Sequence, residues 1–168
     1  MSMNKDTDDE IEIITPPVNR RKARERALQA LYALELSGNH INFVIKEILG
    51  DQIGGNPIIE FARILIKVTF EKRDQLDEYI RSHSKNWKFE RIAVLDRIIM
   101  RMAICEFLNF GDIPPKVSID EAIELSKLFS TDKSSGFING ILDAVYDDLK
   151  KENKINKTGR GCLDSKMK

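Results

Sequence analysis

Cysteine and histidine are scarce in this chain, with two of each in 168 residues. Cys105 sits inside an apolar run and Cys162 near the end, so they form neither a disulfide framework nor a metal-ligand spacing. His40 and His83 are far apart in sequence, and no glycine-rich loop follows a strand to cradle phosphate. No nucleophile stands at a telling distance from a base, so a catalytic constellation is not expected. Long apolar runs are missing too; none approaches the ~18–20 residues of a membrane span. The first residues are acidic, unlike a signal or transit peptide, and the expected compartment is the reducing cytoplasm. Nor is there an excess of either charge. Lys plus Arg and Asp plus Glu both total 27, so net charge points to no partner.

What is present is charge gathered in blocks. Asp6, Asp8, Asp9, Glu10 and Glu12 face only Lys5, whereas Lys150, Lys151, Lys154, Lys157, Arg160, Lys166 and Lys168 face only Glu152 and Asp164. A neutral chain with an acidic head, a basic turn and a basic tail can still show a strongly positive face. With 42% apolar residues there is enough for one domain around one core.

Residues 1–15 read as a flexible acidic extension, 16–150 as a helical domain and 151–168 as a flexible basic tail. Pro16 and Pro17 open a helical pattern with Ala27, Leu28, Ala30, Leu31 and Leu34 at helical spacing, closed by Gly38. A short helix near Asn42–Leu49 ends at Gly50. Asn56-Pro57 is a start signal for a third helix to about Ser82. A fourth, about Phe89–Asn109, is apolar around most of its circumference and is expected at the centre. Pro114 and Pro115 stop it. Ser118-Ile119-Asp120-Glu121 has the pattern of a capping box for a fifth helix. A polar loop from Ser130 then leads to a sixth helix. No alternating run is long enough for a sheet, so the fold class is all-α.

The segment Arg20-Arg21-Lys22-Ala23-Arg24-Glu25-Arg26 places five cations within seven residues at a helix start. The helix dipole disfavours cations there by tenths of a kcal/mol each, and mutual repulsion adds to that. A merely solvated end would carry mixed or acidic residues, and only Glu25 fits. At ~100° per residue, Arg20, Arg21 and Arg24 share about 100° of arc with Leu28 and Leu31 beyond them. That arc puts the arginines at the rim of the core. Guanidinium forks beside free helix amides suit phosphate oxygens, so polyanion binding is expected.

The second half carries Val117-Ser118-Ile119-Asp120-Glu121-Ala122-Ile123-Glu124-Leu125-Ser126-Lys127, then Phe137-Ile138-Asn139-Gly140-Ile141-Leu142-Asp143. These resemble the helices of the NusB family, bacterial transcription antitermination factors. The basic turn with Gln29-Ala30-Leu31-Tyr32, and the stretch Asp96–Ala103, resemble two further motifs of that family, in the right order over about residues 18–150. The resemblance implies a bundle of six to seven helices in two small subdomains. It also implies binding of boxA-type single-stranded RNA together with NusE, a small-subunit ribosomal protein, and loading onto the RNA polymerase antitermination complex. No cofactor is implied. Carried over by residue, Arg20, Arg21, Lys22 and Arg24 match the RNA-contacting motif. The Ser130–Ser135 loop corresponds to a second RNA-contacting segment, with Lys133 and Ser134 as candidates. Asp96, Arg101 and Glu106 are candidate NusE contacts.

Simpler roles stand beside these. Phe137, Ile141 and Leu142 read as core, and Gly140 as room for close helix packing. Arg101 reads as internally paired, with Glu121 or Glu124, and Glu121 as a cap. Trp87 and Phe89 close a helix junction, where an aromatic could stack on a base. Lys133 stands where some members are acidic, which favours backbone contact at the cost of salt sensitivity. The opposed charge blocks suggest that residues 5–12 fold back over the basic turn as a competing polyanion. The enzyme alternative is an RNA cytosine methyltransferase with a NusB-like domain, but its parallel-sheet module and catalytic cysteine find no counterpart here. A homodimer or pure protein adaptor is the third alternative, indifferent to loss of Arg20 and Arg24.

Overall fold

The computed structural model describes residues 17–51 and 54–158. The acidic extension, with the fold-back expected of it, lies outside the described residues, as do Arg160, Lys166 and Lys168. Within them are seven α-helices, one 3-10 turn at Phe89–Arg91 and no strand.

Helix α1 (Arg20–Ser37) opens on Asn19, whose side chain accepts from the Lys22 N–H at 2.9 Å, and closes on Gly38 at φ +65°. That left-handed turn suits glycine. The start is at Asn19 rather than at the prolines because Asn19 supplies the oxygen that a free N–H needs. Helix α2 (Ile41–Leu49) is capped by His40, and α3 (Pro57–Glu71) by Asn56, with Pro57 in its first turn. These three helices pack on one another.

The expected third helix is two helices. It breaks at Lys72 and resumes as α4 (Arg73–His83), without a glycine or proline to mark the joint. Local side chains absorb the break. Arg73 donates to the freed Phe70 carbonyl at 2.9 Å, and Lys72 reaches Asn109 at 2.8 Å. The break sends α4 away from α1 and α2 to lie against α5 and α7.

Helix α5 (Val94–Asn109) is the centre: eleven of its sixteen residues are buried. It packs against α1, α3, α4, α6 and α7 and so joins the α1–α3 group to the α4–α7 group. Helix α6 (Pro115–Phe129) begins three residues before the expected capping box. Pro115 lacks an N–H and has its φ preset, so it serves as a first helical residue. Ser118 and Glu121 are thereby freed from capping. Helix α7 (Asp132–Lys151) follows after only Ser130 and Thr131, so the expected loop is a two-residue link and Lys133 and Ser134 lie in a helix's first turn. Gly140 is exposed, and a β-carbon there would meet nothing within 4 Å, so close packing is not its role.

The tail is not wholly loose. After α7 the chain turns through Asn153 at φ 55° and runs back to the end of α5. The Lys157 ammonium donates to the carbonyls of Glu106 (2.7 Å) and Phe110 (2.6 Å), and the Thr158 N–H donates to the Gly111 carbonyl at 2.8 Å. A cation on the last carbonyls of a helix is favoured by its dipole. The chain is therefore held against the end of α5 as far as residue 158.

Candidate nucleic-acid interface

The arginine turn is built at the head of α1, where the helix meets α5, the α5–α6 loop and α6. Each of its first four cations faces a carboxylate. Arg20 donates to Asp112 at 2.8 Å, and Arg21 grips Glu121 through two bonds of 2.9 and 3.2 Å. Lys22 pairs with Glu25 one helical turn on, at 3.0 Å. Arg24 makes a two-pronged pair with Glu106, at 2.7 and 3.0 Å. The strongly positive face expected from the block of cations is thus largely neutralised by acids that arrive from distant parts of the chain.

The pairs differ in kind. The side chains of Arg20 and Arg21 are 44% and 55% exposed, and their outer edges face solvent. Glu121 holds the Arg21 guanidinium above its usual pKa, chiefly through the hydrogen bonds. Arg20 lies over the Phe61 ring at 4.7 Å. Arg24 is the correction. It is 5% exposed against 2% for Glu106, and Ser118 adds a third bond to the same carboxylate at 3.1 Å. The arc shared with Leu28 places Arg24 within the core rather than at its rim, because Glu106 of α5 draws it inward. The two form an ion pair buried in the free protein.

Glu106 is buried with Arg24, and so are the other two residues expected to meet a protein partner. Arg101 is buried and bonded to Asp77 at 2.6 and 2.9 Å and to Glu35 at 3.3 Å, rather than to Glu121 or Glu124. Burial works against its charge, but the two carboxylates outweigh it and raise its pKa. Asp96 is buried too, and its two oxygens accept from Ser130 (2.7 Å) and Ser134 (2.8 Å). Paired inside, Asp96, Arg101 and Glu106 set helix positions and offer no polar group outward.

Asp96 in turn builds the second half of the site. It pins the link between α6 and α7, so Ser134 points inward in the free protein. Lys133 is exposed, with no ionic partner among the described residues. It borders a cleft of about 330 Å³ lined by Trp87, Arg91, Ile92, Asp96, Lys133 and Phe137, among others. Trp87 is 60% exposed and meets Phe137 edge to face, with centroids 6.0 Å apart. Phe137, half-buried and packed against the core, is also a wall of this cleft. Arg91 was not singled out in the sequence; its signal was proximity to Trp87 in a short polar stretch. An exposed aromatic flanked by two cations suits a nucleobase and its phosphate. Glu121 and Ser130 lie nine residues apart at either end of this stretch, so α6 spans about 14 Å between the two halves.

Among the described residues no helix is long and apolar enough to cross a membrane. The NusB family's sequence profile matches residues 21–147. The chain is 41% identical over 148 residues to the transcription antitermination protein NusB of Chloroherpeton thalassium, covering 88% of this chain and 70% of that one. It is 40% identical to that of Salinibacter ruber, covering 86% and 91%. The T. maritima NusB structure superposes with a TM-score of 0.72 at 34% identity, covering 81% of this chain and 96% of that one. A structure described as antitermination factors NusB and NusE in complex with double-stranded RNA shares the fold at 24% identity, with a TM-score of 0.68 over 77% and 96% of the two chains. The chain belongs to the NusB family of transcription antitermination proteins, which are not enzymes.

Proposed function

We propose that the chain binds boxA-type single-stranded RNA together with NusE, and that the resulting complex joins the RNA polymerase antitermination complex. The observation that carries the RNA-binding reading is the pairing of two cationic surfaces along α6: half-exposed Arg20 and Arg21 at one end, and Lys133 and Arg91 around the exposed Trp87 at the other. The first half offers guanidinium edges to phosphate, which gives affinity without sequence preference. The second offers an aromatic face and a cleft, where a base could be held. The relative captured with NusE and RNA supports the choice of partners.

The test is a titration of labelled boxA-type RNA with and without NusE, at two salt concentrations, against a scrambled sequence. Tighter binding of the boxA-type RNA when NusE is present is the expected result. Equal affinity for the scrambled RNA with NusE added overturns the reading.

A further inference from the structure

Every cation from Arg20 to Arg24 is matched by an acid in the free protein, so RNA cannot simply settle on bare arginines. It competes with carboxylates that already hold part of each guanidinium fork. The three arginine pairs are unequal in this respect. Arg24 and Glu106 are sealed in the core. Glu121 is 15% exposed and holds Arg21 through two bonds. Asp112 is 59% exposed and holds Arg20 through one bond. Carboxylate and phosphate oxygens seek the same planar fork of donors. The pair that yields most readily is therefore the single exposed bond.

We propose that Asp112 is a built-in competitor for RNA phosphate at Arg20, setting the affinity and salt dependence of the arginine turn. This inference rests on the RNA-binding reading above. Two features keep Asp112 at its post. The Phe61 ring supports one face of the Arg20 guanidinium, at 4.7 Å, so the arginine edge stays turned towards the loop. The loop itself is tied from below by the returning tail, through Lys157 to the Phe110 carbonyl and Thr158 to the Gly111 carbonyl, immediately before Asp112. A tethered carboxylate cannot drift away when displaced, and it remains beside the bound phosphate as a like charge. Arg20 also holds the Asp112 carboxyl below its usual pKa, so the competitor stays ionised at neutral pH.

The experiment compares the wild-type chain, Asp112→Asn, Arg20→Ala and the double variant for binding labelled boxA-type RNA with NusE present. Asp112→Ser serves as a second neutral side chain, since asparagine keeps an oxygen that could accept from Arg20. Thermal melts confirm that each variant is folded. Removing an exposed pairing partner is expected to tighten binding about 1.4- to fivefold at low salt. The plot of log affinity against log salt becomes steeper by up to about 0.7, one additional phosphate contact on a single strand. In the Arg20→Ala background the gain disappears. Unchanged or weaker binding by both neutral variants overturns the inference, as does an equal gain without Arg20, which would make Asp112 a source of general repulsion only. If the wild-type chain binds no RNA, the RNA-binding reading falls and this inference with it. Wild-type binding that is indifferent to Asp112 removes this inference alone.

Discussion

Arg24→Ala separates a buried ion pair from a surface contact. The substitution removes the two-pronged partner of Glu106 and leaves that carboxylate, 2% exposed, with the Ser118 hydroxyl as its remaining side-chain donor. Breaking one member of such a buried pair costs about 3–5 kcal/mol, because an uncompensated charge stays behind. Small domains have about 5–15 kcal/mol in all, so this is a large fraction. At about 2–4 °C per kcal/mol for a chain of this size, the midpoint falls by about 6–20 °C. Thermal and urea unfolding followed by circular dichroism measure it. Arg24→Met with Glu106→Leu removes both charges and recovers most of the loss, since an apolar pair of similar volume avoids the stranded carboxylate. Arg20→Ala, which breaks an exposed pair, shifts stability by at most about 1 kcal/mol while lowering RNA affinity. An Arg24→Ala protein that melts like the wild type and fails to bind RNA would refute the reasoning: Arg24 would then belong to the RNA surface.

Three further outcomes are expected. Trp87→Ala should weaken RNA binding by about 1–3 kcal/mol, the value of one base–aromatic stack, with little change in melting temperature because Trp87 is 60% exposed; equal affinity would remove the cleft from the site. Lys133→Glu should lower affinity and flatten the salt dependence by about 0.7 per lost contact, and an unaltered slope would show that Lys133 touches no phosphate. Burial pushes the Cys105 thiol up to about 11, so in a Cys162→Ser background iodoacetamide should modify it at neutral pH only as fast as the domain opens. Rapid labelling of the folded protein would contradict that burial.

The helices were legible because periodicity and caps are local. Asn19, Gly38 and Asn56 mark ends through bonds to neighbours a few residues away, and α5 announced its central position by being apolar all round. The break at Lys72 left no trace, since it comes from the need of α4 to leave α1 and α2 for α5, which no local residue encodes. The arginine turn was legible as a cluster but not as a set of pairs. Its partners Asp112, Glu121 and Glu106 are some 80–100 residues away in sequence, with separations of 92, 100 and 82. Ser118 misled for a related reason. Its spacing to Glu121 matches a capping box, yet Pro115 starts the helix earlier and both side chains turn to partners on other helices. Among polar residues inside apolar stretches, Arg101 reads as internally paired but with no partner that the sequence identifies, and Asp96 reads as a contact for a partner. Only packing places both inside.

The returning tail has a practical side. Thr158 bonds to Gly111, and Arg20 bonds to the next residue, Asp112, so both ends of the described domain meet on one short loop. Neighbouring termini are the usual condition for circular permutation. A short linker between residues 158 and 17 could therefore close the chain, with new ends opened elsewhere. By the same geometry, a purification tag or fused domain joined directly at residue 17 or 158 is delivered to the arginine turn. Binding measured on such a fusion reports on the attachment as well as on the protein, and a permutant with its ends moved away would be the cleaner reagent.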